Sequence, residues 1–318
     1  MAHYAPERAT TTWPRFPEAG WAQTGPTLHR WTQVVGKIRT KLTPPMNHFW
    51  HSALYVSSRG LTTSAIPYGS ALFEIEFDFV AHELRITTSW GAAQAFPLAA
   101  YSVADFYGQL VSALRVLGID VRIWTTPVEI ADPIPFEQDH VHASYDPTVA
   151  HAAWQSFIQA DRVFNVFRGR FLGKCSPVHF FWGGFDLAVT RFSGRRAPMY
   201  TGPAFNVAPH VMHVSYSHEV CSAGLWPGND QTPPMFYCYA VPEPAGFADT
   251  AGYTYNTELG EFVLPYADVA SSLDPDAALL DFLQTTYTAA ADLGGWDREL
   301  LEHQPACACT TGAKDGQP

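Results

Sequence analysis

Histidine placement is the first chemical signal in the chain, which carries 13 His among 318 residues. His48 and His51 flank Phe49-Trp50, His179 opens the comparable stretch Phe180-Phe181-Trp182, and His218 directly precedes Glu219 after His210 and His213. If both aromatic stretches are strands, alternation sends His48 and His51 to opposite faces. Aligning Trp50 with Trp182 then gives His51 the parity of His179. A twofold relation between the halves would bring His51 and His179 together, with His218 or Glu219 completing the set. Such a set suits a divalent metal, Zn, Fe or Cu, with an open position. The competing reading gives each imidazole its own backbone carbonyl. His140 and His142 form an i, i+2 pair, but in a Pro-rich stretch that reads as a solvated loop.

Asp186 interrupts the apolar run FFWGGFDLAV with the parity of Trp182. A buried aspartate needs a partner, and Arg191, Arg195 or Arg196 would supply a structural ion pair, unless the carboxylate orients a ligand. With His218 and Glu219 it forms the candidate catalytic group. Glu74, Glu76 and Asp78 share one strand face, where solvation is the simpler account. Cys175 with His179, or His218 with Cys221, has the composition of a nucleophilic dyad, against inert burial. Cys307 and Cys309 offer a soft-metal pair in a tail-like segment. Trp50, Trp182 and Tyr216, with Arg191 beside them, would line a pocket for a planar or apolar small molecule. No phosphate loop, dinucleotide glycine pattern, HExxH, GxSxG or paired CxxC occurs.

Amphipathic helices and a half-buried strand have to position these groups. From Thr27 the residues Leu28, Trp31, Val35, Ile38 and Leu42 form one helical face, with Arg30, Lys37 and Lys41 off it, until Pro44-Pro45. Phe73, Ile75, Phe77 and Phe79 alternate with Glu74, Glu76 and Asp78 in a half-buried antiparallel strand. Val103 to Leu117 is a second amphipathic helix ended by Gly118. The same order returns after residue 146: Phe157, Ala160, Phe164, Phe167 and Phe171, then SPVHFFWGGFDLAVTRFSG against PPMNHFWHSALYVSSRG, then Leu279 to Leu293. The expectation is α+β, two tandem, internally duplicated halves, each an antiparallel meander flanked by helices. The boundaries read as an irregular lead-in over 1–24, a first half over 25–124, a connector over 125–146, a second half over 147–302 and a disordered tail over 303–318.

Blocks in this order resemble a bacterial family, domain of unknown function 5996. Its carriers here are LHRWTQVVGKIR, PPMNHFWHSALYV with LTTSAIPYG, FEIEFDF, HASYDP, FRGRFLGKCSPVHFFWGGFDLAVTRFSGR and SYSHEVCSAGLWPG. The likeness covers roughly residues 13–301 and implies no activity.

Charge and composition bound the rest. A net charge of −11 argues against nucleic acid or an anionic membrane as the main partner. No apolar run approaches a membrane span, the start lacks the pattern of a signal peptide, and five scattered Cys do not form a disulfide framework. These features predict a cytoplasmic protein with a small-molecule ligand. The expected function is an enzyme acting on a small apolar or aromatic metabolite in a His/Trp-lined groove between the halves. The competing class is a non-catalytic binding protein, and a partner-docking protein is a third.

Overall fold

The structure, a computed structural model, describes residues 13–202, 206–250 and 252–303. Cys307, Cys309, nearly all of the expected tail and the first half of the expected lead-in lie outside the described residues. Helix α1 (Glu18–Leu42) stops short of Pro44-Pro45 as expected but starts well before Thr27. Trp13 and Phe16, just ahead of it, are core residues.

The first meander comprises β1 (Tyr55–Val56), β2 (Gly60–Thr62), β3 (Ile66–Tyr68), β4 (Ala71–Asp78), β5 (Glu83–Thr88) and β6 (Ala93–Pro97). It forms an antiparallel sheet in the order β1-β2-β4-β5-β6, with β3 also on β4. Phe73, Ile75 and Phe77 are buried on one face, as the alternation requires. Helix α2 (Val103–Val116) packs there, started by a reciprocal Ser102–Asp105 capping box. Phe106 joins it to α1 by stacking on Trp31 at 4.7 Å.

The second half opens with α3 (Pro147–Gly169), where Asp146 caps the first turn and Pro147 fits its missing N–H. Then come β7 (His179–Phe181), β8 (Asp186–Arg196), α4 (Pro209–Ser215), β9 (His218–Trp226), β10 (Met235–Val241), β11 (Thr254–Asn256), β12 (Glu261–Pro265), α5 (Tyr266–Ala270), α6 (Pro275–Leu293) and α7 (Arg298–Leu301). The strands form an antiparallel sheet in the order β11-β12-β10-β9-β8-β7. Its inner face packs Leu187, Val189, Cys221, Leu225 and Phe236 in one core with Phe164, Phe167, Phe282 and Tyr287 of α3 and α6.

The two sheets meet edge to edge, where Leu54 and Phe180 exchange both backbone hydrogen bonds at 2.9 and 2.8 Å. The fold is α+β, and helix, meander, helix recurs in both halves. The residue match behind the expected duplication fails at its anchor. Trp50 lies in a 3-10 turn over Asn47–Ser52, whereas Trp182 follows β7. The Trp182 indole instead donates to the Ser52 carbonyl at 2.7 Å and fills the space beside Gly36 of α1.

Candidate functional site

The polar side of α1, which the helical pattern assigns to solvent, is a clamp. Gln33 donates from Nε2 to the Val128 carbonyl at 2.8 Å and accepts from the Val128 N–H at 2.9 Å. One turn on, Lys37 donates to the Thr126 carbonyl at 2.6 Å, and Arg30 meets buried Asp139 at 3.3 Å. Residues 126–139 are therefore fastened to the helix, because Arg30, Gln33 and Lys37, at i, i+3 and i+7, fall on one stripe of it. The clamp delivers Glu129, whose φ of 55° is strained for a residue with a Cβ.

Glu129 arrives beside the β7–β8 turn, Gly183-Gly184-Phe185. A Cβ on Gly183 would lie 2.2 Å from Glu129 Oε1, so only glycine leaves room for the carboxylate. The Cβ position of Gly184 is 3.0 Å from Asp186 Oδ1 and 3.5 Å from Glu129 Oε2. Those two oxygens are consequently no further apart than the sum of the two distances. Phe185, between the turn and Asp186, is the second left-handed residue here, at φ 58°.

The outer face of the second sheet supplies the remaining groups. Tyr237 on β10 passes over Gly224 of β9 and donates its hydroxyl to Asp186 Oδ2 on β8. Tyr239, two residues on and so on the same face, shares a 2.9 Å hydroxyl hydrogen bond with Tyr216. Tyr216 stacks on Tyr200 at 4.5 Å. Glu261 opens β12 at the far side.

Electrostatics mark this group. Burial, with the neighbouring Asp186, pushes Glu129 up to about 7; burial raises Asp186 to about 6 against the Tyr237 hydrogen bond; burial and Asp186 raise Glu261 to about 7. Desolvation holds the Tyr216 hydroxyl up at about 12 and the Tyr237 and Tyr239 hydroxyls well above their usual value. Yet Glu129 is exposed, and Asp186, Tyr216 and Glu261 are only half-buried. These groups therefore sit on an accessible part of the outer sheet face and not in the closed core. Two carboxyls that change charge near neutrality can give and take protons, and protonated tyrosines can only donate or share theirs.

The other expected residues are dispersed. Arg191 faces the opposite side of β8 from Asp186, its guanidinium 3.4 Å from the Phe167 ring and 4.3 Å from that of Tyr287. It is a core cation, not a partner of Asp186. Glu219 likewise faces away from His218 and accepts from Arg195 at 2.6 Å and Ser193 at 2.8 Å. His218 sits 5.6 Å from the ring of His48. His51, in the 3-10 turn rather than a strand, accepts the Met46 N–H through Nδ1 at 3.2 Å. His179 is packed among Trp50, Tyr55 and Phe181. Burial and then Arg39 lower both pKa values, to about 3 for His179. Among the described residues no group of three His, Cys, Asp or Glu side chains could hold a metal ion. The set His51, His179 and His218 does not assemble because Trp50 and Trp182 are not equivalent. Burial also raises the Cys175 thiol to about 11, which removes the thiolate a Cys–His dyad needs.

Glu129, Glu261 and the clamp on α1 escape a reading by periodicity. The available signal was Gly183-Gly184 two residues before Asp186, since paired glycines mark a place where something must approach the backbone closely. No helix among the described residues is long and apolar enough to cross a membrane. Residues 13–303 match the model of a family of unknown function, DUF5996. No curated protein and no solved structure matches the chain.

Proposed function

The chain belongs to this family of unknown function, so its chemistry has to be read from its own residues, and we propose that it is an enzyme performing general acid–base catalysis on a small planar or apolar molecule. The surface where residues 126–132 meet the outer face of the second sheet is the proposed site. Glu129 and Asp186 act as the proton-handling pair, Tyr237 orients Asp186, and Tyr200 and Tyr216 offer a stacking wall. The observation that carries the reading is the approach of two carboxyls, both raised toward neutrality, to one point beside Gly184. Proton transfer by a positioned group of matched pKa is worth about 10²–10⁴ in rate. The free thiols of Cys175, Cys221 and Cys238 favour a reducing compartment, the cytoplasm, as the place of action. The acidic balance favours a neutral or cationic small molecule over nucleic acid.

The test is a thermal-shift screen of small planar and apolar metabolites, with each stabilising compound then assayed for turnover. Glu129→Gln and Asp186→Asn are expected to keep binding and lose turnover by about 10² or more. A compound that binds tightly and is returned unchanged by the parent protein would place the chain with the non-catalytic binding proteins instead.

A further inference from the structure

A second group of side chains lies apart from the carboxyl pair and does not depend on it. Lys174, in the segment leading into β7, places Nζ 2.5 Å from His48 Nε2. His48 Nδ1 is 3.0 Å from the Ser215 carbonyl oxygen at the end of α4. A carbonyl only accepts, so Nδ1 carries the ring hydrogen and Nε2 turns its lone pair to the lysine. Amine, imidazole and carbonyl thus stand in the order nucleophile, base and orienting group.

The backbone is bent to achieve this. His48 and Phe49 are consecutive left-handed residues, at φ 54° and 62°, a conformation disfavoured for residues with a Cβ that persists only where the surroundings enforce it. Trp50 and Phe192 wall the amine, their ring centroids 5.4 and 4.9 Å from Nζ. Among the described residues its hydrogen-bond partner is His48, and no carboxylate pairs with it. Burial lowers the pKa values of both Lys174 and His48, while the lysine side chain stays exposed to an incoming molecule.

We propose that Lys174 is an amine nucleophile that condenses with the aldehyde or ketone group of a small, flat or apolar carbonyl compound, with His48 moving the protons. The Nζ lone pair forms a bond to the carbonyl carbon while the C=O π pair moves to oxygen. His48 Nε2 takes a proton from the new ammonium and returns it to that oxygen. The hydroxyl then leaves as water with the second amine proton, and the nitrogen lone pair closes the C=N bond. Amine and carbonyl become imine and water, with no oxidant or reductant.

Trapping tests this directly. The full chain is incubated with benzaldehyde and cyanoborohydride, and the alkylated lysines are mapped by mass spectrometry, with solvent-exposed Lys41 as the internal reference. Lys174 is expected to react at least about tenfold faster than Lys41. His48→Asn keeps a donor for the Ser215 carbonyl and tolerates a left-handed backbone, but lacks the Nε2 base; it should bring Lys174 down to the Lys41 rate. Equal rates for the two lysines in the parent protein overturn the proposal without any variant. Preferential labelling of Lys174 that survives in a folded His48→Asn protein overturns the role of His48.

Discussion

Tyr237 reaches Asp186 across a whole strand: its ring crosses Gly224 of β9, so that a hydroxyl from β10 meets a carboxylate on β8. The glycine is what lets two residues that are not strand neighbours share a hydrogen bond.

Gly224→Ala tests that crossing. The added Cβ would lie 2.4 Å from the Tyr237 ring and 2.5 Å from the Leu187 carbonyl oxygen, and the latter is backbone that cannot swing aside. Overpacking of this kind costs about 1–3 kcal/mol. A urea melt should show that loss, and unchanged stability would mean that Tyr237 does not occupy the space above Gly224.

Stability should also depend on pH through Asp186. Its pKa rises from 3.8 to about 6 on folding. Between those values the native state holds a proton that the unfolded chain has released, so the contribution of this group is present at low pH and is lost as pH rises toward about 6. Asp186→Asn should therefore show less decline than the parent protein when unfolding free energies at about pH 4.5 and about pH 7 are compared. Parallel curves for the two proteins would sink the assignment.

Gln33→Leu removes both clamp hydrogen bonds while keeping most of the side-chain volume. About 1–2 kcal/mol of stability should go with them, because the half-buried Val128 N–H and C=O lose their partner. Hydrogen exchange reports the local effect: the Val128 amide should exchange faster in the variant. Glu129, no longer held against Gly183, should at the same time titrate closer to an ordinary glutamate.

Excess Zn²⁺ should leave the melting temperature of untagged protein unchanged. A cation at His51 and His179 would have to sit near Arg39, which already depresses both imidazoles, and like charges at close range oppose binding. A rise in melting temperature that disappears in His179→Ala would show that a zinc site forms there after all.

Helix positions, the buried face of β4 and the α+β class were legible because periodicity reports burial directly. Phe73, Ile75 and Phe77 needed nothing more than alternation. Asp78 shows the limit: alternation puts it with Glu74 and Glu76 on the outer face, yet it is fully buried at the strand end, where Arg59 and the Val80 and Ala81 N–H groups satisfy it. Burial opposes its ionisation, but those donors outweigh it and hold its pKa below the usual value. His51 failed for a related reason. A strand reading assigned parity to a segment whose left-handed residues abolish parity, and left-handed backbone at His and Phe has no local sequence signal. The site itself depends on a loop meeting a sheet turn across long sequence separations, and Gln33 and Val128 carry no pattern that pairs them.

The exchange of hydrogen bonds between Leu54 and Phe180 gives each sheet the other as its neighbour. An isolated half would present that row of N–H and C=O groups to solvent, and exposed rows of this kind recruit strands from other chains. Cutting the chain in the connector and expressing either piece alone should therefore yield aggregating material, whereas the two pieces produced together can close each other's open margin. The seam that joins the halves is in this sense also a guard against self-association, and its two donors and two acceptors come from residues whose side chains lie in the core.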